Sequence, residues 1–151
     1  MLEQFIRANG LSAEVISPAK EAATLRDAAR ELGVKMSDFA KAELFVFNDR
    51  GVLVIVKIGE DIAKENVCKG IGAEGLRCAS MDEAEEITGF REGCIPPIGI
   101  YGVRTVMDKA LMKKDVLYFS IGRNQFLKIT PKEIEENSEE FEAVDLGLKK
   151  D

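Results

Sequence analysis

A single lysine, a stiffened glycine turn and the absence of histidine bound the chemistry open to this chain of 151 residues. The stretch Thr88-Gly89-Phe90-Arg91-Glu92-Gly93-Cys94-Ile95-Pro96-Pro97-Ile98-Gly99 packs three glycines and two adjacent prolines into twelve residues. Glycine supplies backbone shapes with positive φ and lets another chain come close, whereas proline fixes φ and removes a donor. Gly93 and Pro97, in a G-x-x-x-P spacing, therefore outline a rigid cradle, although an ordinary turn uses the same residue types. With no histidine, neither a Ser–His nor a Cys–His nucleophile can be assembled, and the commonest metal ligand is missing. Cys94 would need a lysine, an arginine or a helix N-terminus to form thiolate; otherwise it is a small apolar loop residue. Any chemistry must run on lysine, carboxylates, backbone groups or groups that a substrate brings. No metal and no cofactor is expected.

The elements that position these residues can be read in order. Leu2, Phe5 and Ile6 have helical spacing, closed by Asn9-Gly10, and Ala13–Ser17 reads as a short strand broken at Pro18. Thr24 caps a helix through Leu32, with Asp27 as capping-box partner and Gly33 as the stop. Ser37–Lys41 reads as one helical turn leading into the apolar strand Leu44–Phe47. Asn48–Gly51 makes a hairpin, and Val52–Ile58 is the return strand. Lys41 is thus the one cation at the entrance to the central strand, and its plainest role is a lysine favoured by a helix C-terminus.

Further on, Asp61–Lys69 is amphipathic, Leu76–Ala79 is a short strand, and Ser80 with Glu83 opens a helix to about Ile87. After the glycine–proline loop, Ile100–Val103 and Thr105–Met107 read as strands and Lys109–Lys113 as a turn or helix. Asp115–Ile121 is a strong strand, turning through Gly122–Gln125 into Phe126–Thr130. Pro131 opens an acidic helix, with a loosely held tail beyond it over residues 131–151. Residues 1–151 form a single α/β (α+β) domain with a mixed, mainly antiparallel sheet.

Charge is uneven. Against a total of −6, residues 132–151 carry three lysines and eight acids, while residues 101–131 carry six basic groups and two acids. This is no general nucleic-acid binder, which would show a basic footprint across one face, but a local basic edge is compatible with it. No run of 18 apolar residues spans a membrane, and Met1-Leu2-Glu3-Gln4 lacks the order of a signal peptide. Three cysteines without a C-x-x-C pair argue against a disulfide framework or structural zinc and fit a reducing cytoplasm.

Four stretches agree, in order, with one family. They are Lys41 before an apolar strand; Leu76-Arg77-Cys78-Ala79-Ser80 before an acidic helix; Thr88-Gly89-Phe90-x-x-Gly93-x-x-x-Pro97-x-Gly99; and Ser120-Ile121-Gly122-Arg123 before a last strand. From about Thr24 to Ile134 the chain resembles the YbaK/ProX aminoacyl-tRNA deacylases, whose domain is also inserted in bacterial prolyl-tRNA synthetases. The resemblance implies a barrel-like sheet ringed by helices and a trans-editing hydrolase of mischarged tRNA, with alanine, serine or cysteine on a proline tRNA as the substrate range. It implies tRNA as partner, with prolyl-tRNA synthetase as a further one.

The missing histidine is then intelligible, because an aminoacyl ester is already labile and its ribose hydroxyl or α-amino group can order the attacking water. Lys41 matches the family's essential lysine and would hold the 3′-terminal nucleotide through phosphate. Gly93 would let the ester carbonyl approach main-chain N–H donors. Cys94, Ile95, Pro96, Pro97 and Gly99 would shape that loop. Thr24 aligns with a position in the family's pocket, and Ser120, Gly122 and Arg123 with a strand end facing the same cleft. The chain departs from the family at Ala42-Glu43, where a small hydroxyl and an aliphatic residue are usual, at Ile98 in place of phenylalanine, and at Asn124-Gln125, near an acidic group in some members. Two other classes stay open: an inactive module that binds a tRNA end, and one that binds a small molecule or a protein.

Overall fold

The computed structural model describes residues 2–60, 62 and 64–146. Its centre is β2 (Phe39–Phe47), which forms a hairpin with β3 (Arg50–Lys57) through Asn48 and Asp49. Both turn residues have positive φ (50° and 61°), as a two-residue turn matched to strand twist requires. The sheet runs β1 (Glu14–Ile16), β7 (Gln125–Ile129), β6 (Leu117–Gly122), β2, β3, β5 (Arg104–Asp108), β8 (Glu140–Val144), with β4 (Arg77–Cys78) added to β2. Pairing is mixed. β2–β3, β2–β4, β6–β7 and β1–β7 are antiparallel, while β2–β6, β3–β5 and β5–β8 are parallel.

Among the described residues, five α-helices flank this curled half-barrel: α1 (Leu2–Ala8), α2 (Leu25–Leu32), α3 (Lys64–Ile71), α4 (Met81–Thr88) and α5 (Pro131–Glu136). The main core joins Ala40, Ala42, Leu44, Leu53 and Ile55 of the hairpin to α1, α4, α5 and the glycine–proline loop. Phe45, Val54 and Val56 belong to a second cluster with Val67 of α3, and Phe39 to a third with Ala28 and Ala29 of α2. Strand alternation explains the division, since successive side chains leave β2 on opposite faces.

Helix ends follow local chemistry. Thr24 Oγ1 accepts from Asp27 N–H (3.1 Å), and Gly33 takes the left-handed shape that ends α2. At α4, Ser80 Oγ accepts from Glu83 N–H (3.1 Å) and the Glu83 carboxylate accepts from Ser80 N–H (3.0 Å), a full capping box. Arg77 adds two bonds to the same carboxylate, at 2.8 and 2.7 Å. The Arg77 bonds first, and the Ser80 N–H second, hold the Glu83 carboxyl at about 2 against an ordinary 4.5. A depressed folded value stabilises above the unfolded value and is lost as pH falls through the folded one. The parent protein is therefore expected to unfold at a higher temperature than Glu83→Gln near neutral pH, with the gap closing as pH drops from about 4.5 towards 2. An equal gap throughout that window would remove the carboxylate from the cap.

Several expectations change. Only Met36–Asp38 is helical, a short 3-10 turn, and β2 begins at Phe39, so Lys41 lies inside the strand and not at a helix C-terminus. Residues 100–103 form no strand, because Gly99 and Gly102 both hold positive φ (79° and 77°) and break the extension before β5. As far as Leu146 the tail is not loose: β8 pairs in parallel with β5, and Leu146 is buried against the α3 cluster. The start expected at Asp61 lies outside the described residues, and the helix seen there is α3, which continues through Gly70.

Candidate functional site

One edge of β2 is fully occupied by β3, from Ala40 to Phe47. The other edge is shared: β6 takes Phe39 and Ala40, and β4 takes Phe45 and Val46. Between them lies an interval where, among the described residues, no strand pairs with residues 41–44 on that side. Main-chain directions follow from two bonds: Ile58 N–H donates to Phe39 C=O on the β3 side, and Ala79 N–H to Leu44 C=O on the β4 side. Alternation then turns the N–H and C=O of Ala42 towards the interval.

A hollow of about 40 Å³ opens at this place, lined by Lys41, Ala42, Gly93, Ile95 and Ser120, with Leu25, Phe39, Ala40, Ile58 and Phe119 completing it. It lies where the main core meets the α2 cluster: Ala40, Ala42, Ile95 and Phe119 belong to the first, Phe39, Leu25 and Ile58 to the second. Its apolar walls carry few polar groups, an arrangement that strengthens any electrostatic contact made inside.

The glycine–proline loop reaches the hollow because both its flanks are fixed. Buried Thr88 donates through Oγ1 to Ala84 C=O (2.6 Å) and accepts from Phe90 N–H (3.0 Å). Cys94 N–H closes a turn on Arg91 C=O (2.9 Å). Ile95, Pro96, Pro97 and Ile98 are buried, Ile95 and Ile98 in the main core. Gly93 remains exposed with φ of 86°, and a Cβ there would meet nothing within 4 Å.

Lys41 is half-buried, and its Nζ lies 3.2 Å from Glu43 Oε1. The two side chains share a face of β2 between Phe39 and Phe45, which enter different clusters. Placing Lys41 at a helix end concealed this pairing; a strand period of two reveals it.

The structure therefore brings Lys41, Gly93, Ile95 and Ser120 to one hollow and leaves the other sequence candidates off its lining. Thr24 serves as a helix cap, with its neighbour Leu25 lining the hollow instead. Half-buried Cys94 and buried Pro96 and Pro97 shape the loop, while Gly99 packs near Leu2 and Phe5 of α1. Gly122 sits at the β-bulge of the β6–β7 hairpin. Arg123 is exposed and paired with Glu21 (2.6 Å). Asn124, in the left-handed region, accepts from Ala22 N–H (3.1 Å) and donates to Pro18 C=O (3.3 Å). Arg123 and Asn124 thus fasten the segment before α2 to the β6–β7 turn. A wider depression of about 880 Å³ beside α3, lined by Lys64, Glu65, Cys68 and Lys69 among others, shares no residue with the hollow.

The profile of the aminoacyl-tRNA editing domain matches residues 19–136, a span that contains the whole lining of the hollow. The chain belongs to the aminoacyl-tRNA editing domain family. Proline–tRNA ligase of Halalkalibacterium halodurans is 25% identical over 105 residues, covering 70% of this chain and 18% of the ligase. Proline–tRNA ligase of Shouchella clausii is 31% identical over 103 residues, again covering 18% of the ligase and 68% of this chain. The chain thus spans under a fifth of the length of these ligases. The uncharacterized protein YwhH of Bacillus subtilis is 31% identical over 134 residues, covering 85% of this editing domain and 82% of YwhH. A solved structure described as a candidate trans-editing enzyme for prolyl tRNA synthetase superposes with a TM-score of 0.80 at 21% identity, covering 95% of this chain and 93% of that one. The likeness establishes the curled, half-barrel fold. Among the described residues, no helix is long and apolar enough to cross a membrane.

Proposed function

We propose that this editing domain is a cytoplasmic trans-editing deacylase that hydrolyses alanyl, seryl or cysteinyl esters on a proline tRNA, acting beside prolyl-tRNA synthetase. The observation that carries this reading is the meeting of Lys41 and Gly93 on one hollow in a chain without histidine. The family acts on tRNA, and the prolyl-tRNA ligases among its relatives favour the proline tRNA.

In this mechanism the Lys41 ammonium holds the phosphate of the terminal nucleotide as a point charge. The ester carbonyl enters past Gly93, where no side chain stands in the way. The free ribose hydroxyl orders a water and relays its proton as the water oxygen attacks the carbonyl carbon; the oxyanion that forms is met by main-chain N–H groups, Ala42 N–H among them, and the ribose oxygen then leaves, taking up that proton. A hollow of about 40 Å³ admits a water and a small side chain, which suits alanine, serine and cysteine. Ranking those three is beyond such a pocket, since they differ by one hydroxyl or thiol on the same carbon, an addition that an apolar pocket rejects only weakly.

The test is incubation with alanyl-, seryl- and cysteinyl-tRNA(Pro) beside correctly charged prolyl-tRNA(Pro), following the charge that remains. Loss of the wrong charges alone is expected. Full retention of every charge, with salt-sensitive tRNA binding, would replace the deacylase by a tRNA-end binder; retention without binding would end both.

A further inference from the structure

We infer that Glu43 receives the α-ammonium group of the aminoacyl ester, so that Lys41 and Glu43 together read the two opposite charges of a charged tRNA end. The inference rests on the deacylase reading above and assigns a specificity residue beside the same site, since Glu43 is off the lining of the hollow and joins it through Lys41.

Two observations and one charge argument support it. Glu43 stands between Ala42 and Leu44 in a strand that is otherwise apolar apart from Lys41, and its cross-strand partner is Val54, within the α3 cluster. Carboxylates are depleted in strands, and a half-exposed ion pair adds little stability, so folding alone gives no reason for this side chain. Second, Glu43 Oε1 stands 3.2 Å from Lys41 Nζ, with 41% of its side chain exposed against 27% for Lys41. The carboxylate is thus open to a ligand. Third, a phosphate held by Lys41 would face an added negative charge at Glu43. A ligand cation beside that carboxylate restores the balance, and the substrate carries one on the carbon next to its ester carbonyl. An ammonium–carboxylate bond is charge-assisted and short. Held in this way, the α-amino group stays protonated and acts as a handle, which leaves the ribose hydroxyl to order the water.

Alanyl and lactyl esters of one proline tRNA test this, because a hydroxyl replaces the ammonium with nearly the same shape. Each rate is divided by that ester's rate without protein, since the ammonium itself activates the ester. The unaltered protein is expected to favour the alanyl ester by about 10- to 100-fold, the range for a hydrogen bond to a charged group. Glu43→Gln should bring that ratio near one, chiefly by slowing the alanyl ester. Equal handling of both esters by the unaltered protein would overturn the assignment, as would a ratio that Glu43→Gln leaves in place. Equal acceleration of both esters by Glu43→Gln would overturn it too, showing a mere counter-ion to Lys41. No release of the alanyl ester by the unaltered protein would overturn the deacylase reading along with it.

Discussion

Lys41→Ala is expected to fold as the parent does and to lose about 100-fold in kcat/KM on a mischarged proline tRNA, the scale of a substrate end displaced by an ångström. The stability expectation comes from the surroundings. Among the described residues Lys41 is paired with half-exposed Glu43, which water can solvate once the lysine is gone, so the change in unfolding free energy should stay within about 1 kcal/mol. The rate expectation comes from position. Among the described residues no other lysine or arginine lines the hollow. Lys41→Arg is a sharper variant than it looks, because a planar fork cannot replace a point charge in a narrow site. If the ammonium holds phosphate, the variant's tRNA affinity should also depend less steeply on salt, its log–log slope shallower by about one. An unchanged rate, with unchanged unfolding, would remove Lys41 from the mechanism.

How far the site was legible depended on whether each signal was local. Thr24 with Gly33 and Ser80 with Glu83 mark helix ends through bonds spanning three or four residues, and those helices lie where the sequence puts them. The β2–β3 hairpin was readable for the same reason, its turn residues being chosen for positive φ. β8 was hidden because Glu140-Phe141-Glu142-Ala143-Val144 is acidic and looks like a tail. It becomes a strand only beside β5, where Arg104 pairs with Glu142 and Phe141 packs on the main core. The sequence starts this strand at Leu44, five residues after β2 begins at Phe39, and that offset had a larger cost. With Lys41 at a helix end, Glu43 faces elsewhere; with Lys41 inside the strand, the two share a face. Thr24 and Arg123 show the converse. Thr24 is taken up by the cap on Asp27 N–H that the sequence already shows, Arg123 by a pairing with Glu21 that only the structure reveals, and neither lines the hollow.

Gly93→Ala should cost roughly 10²–10³ in rate, as removal of an oxyanion donor does. The added methyl meets nothing within 4 Å, so a clash cannot explain a loss. Two effects remain: the strain of a φ of 86°, worth about 1–2 kcal/mol for an alanine, and a shift of the loop or obstruction of the space that the ester must enter. A second glycine separates them. Gly102 has φ of 77°, also has nothing within 4 Å of where a Cβ would stand, and lies off the hollow. Gly102→Ala should therefore lose a similar amount of stability while keeping its rate, measured by denaturant unfolding and by deacylation of alanyl-tRNA(Pro). Gly93→Asn probes further, because asparagine tolerates the left-handed region but still projects a side chain; it should recover stability and not activity. Were Gly93→Ala and Gly102→Ala to slow the reaction equally, the loop would matter only as part of the folded whole. The cradle would then have no special claim on the ester, and Lys41 would stand alone as the group that binds the tRNA end.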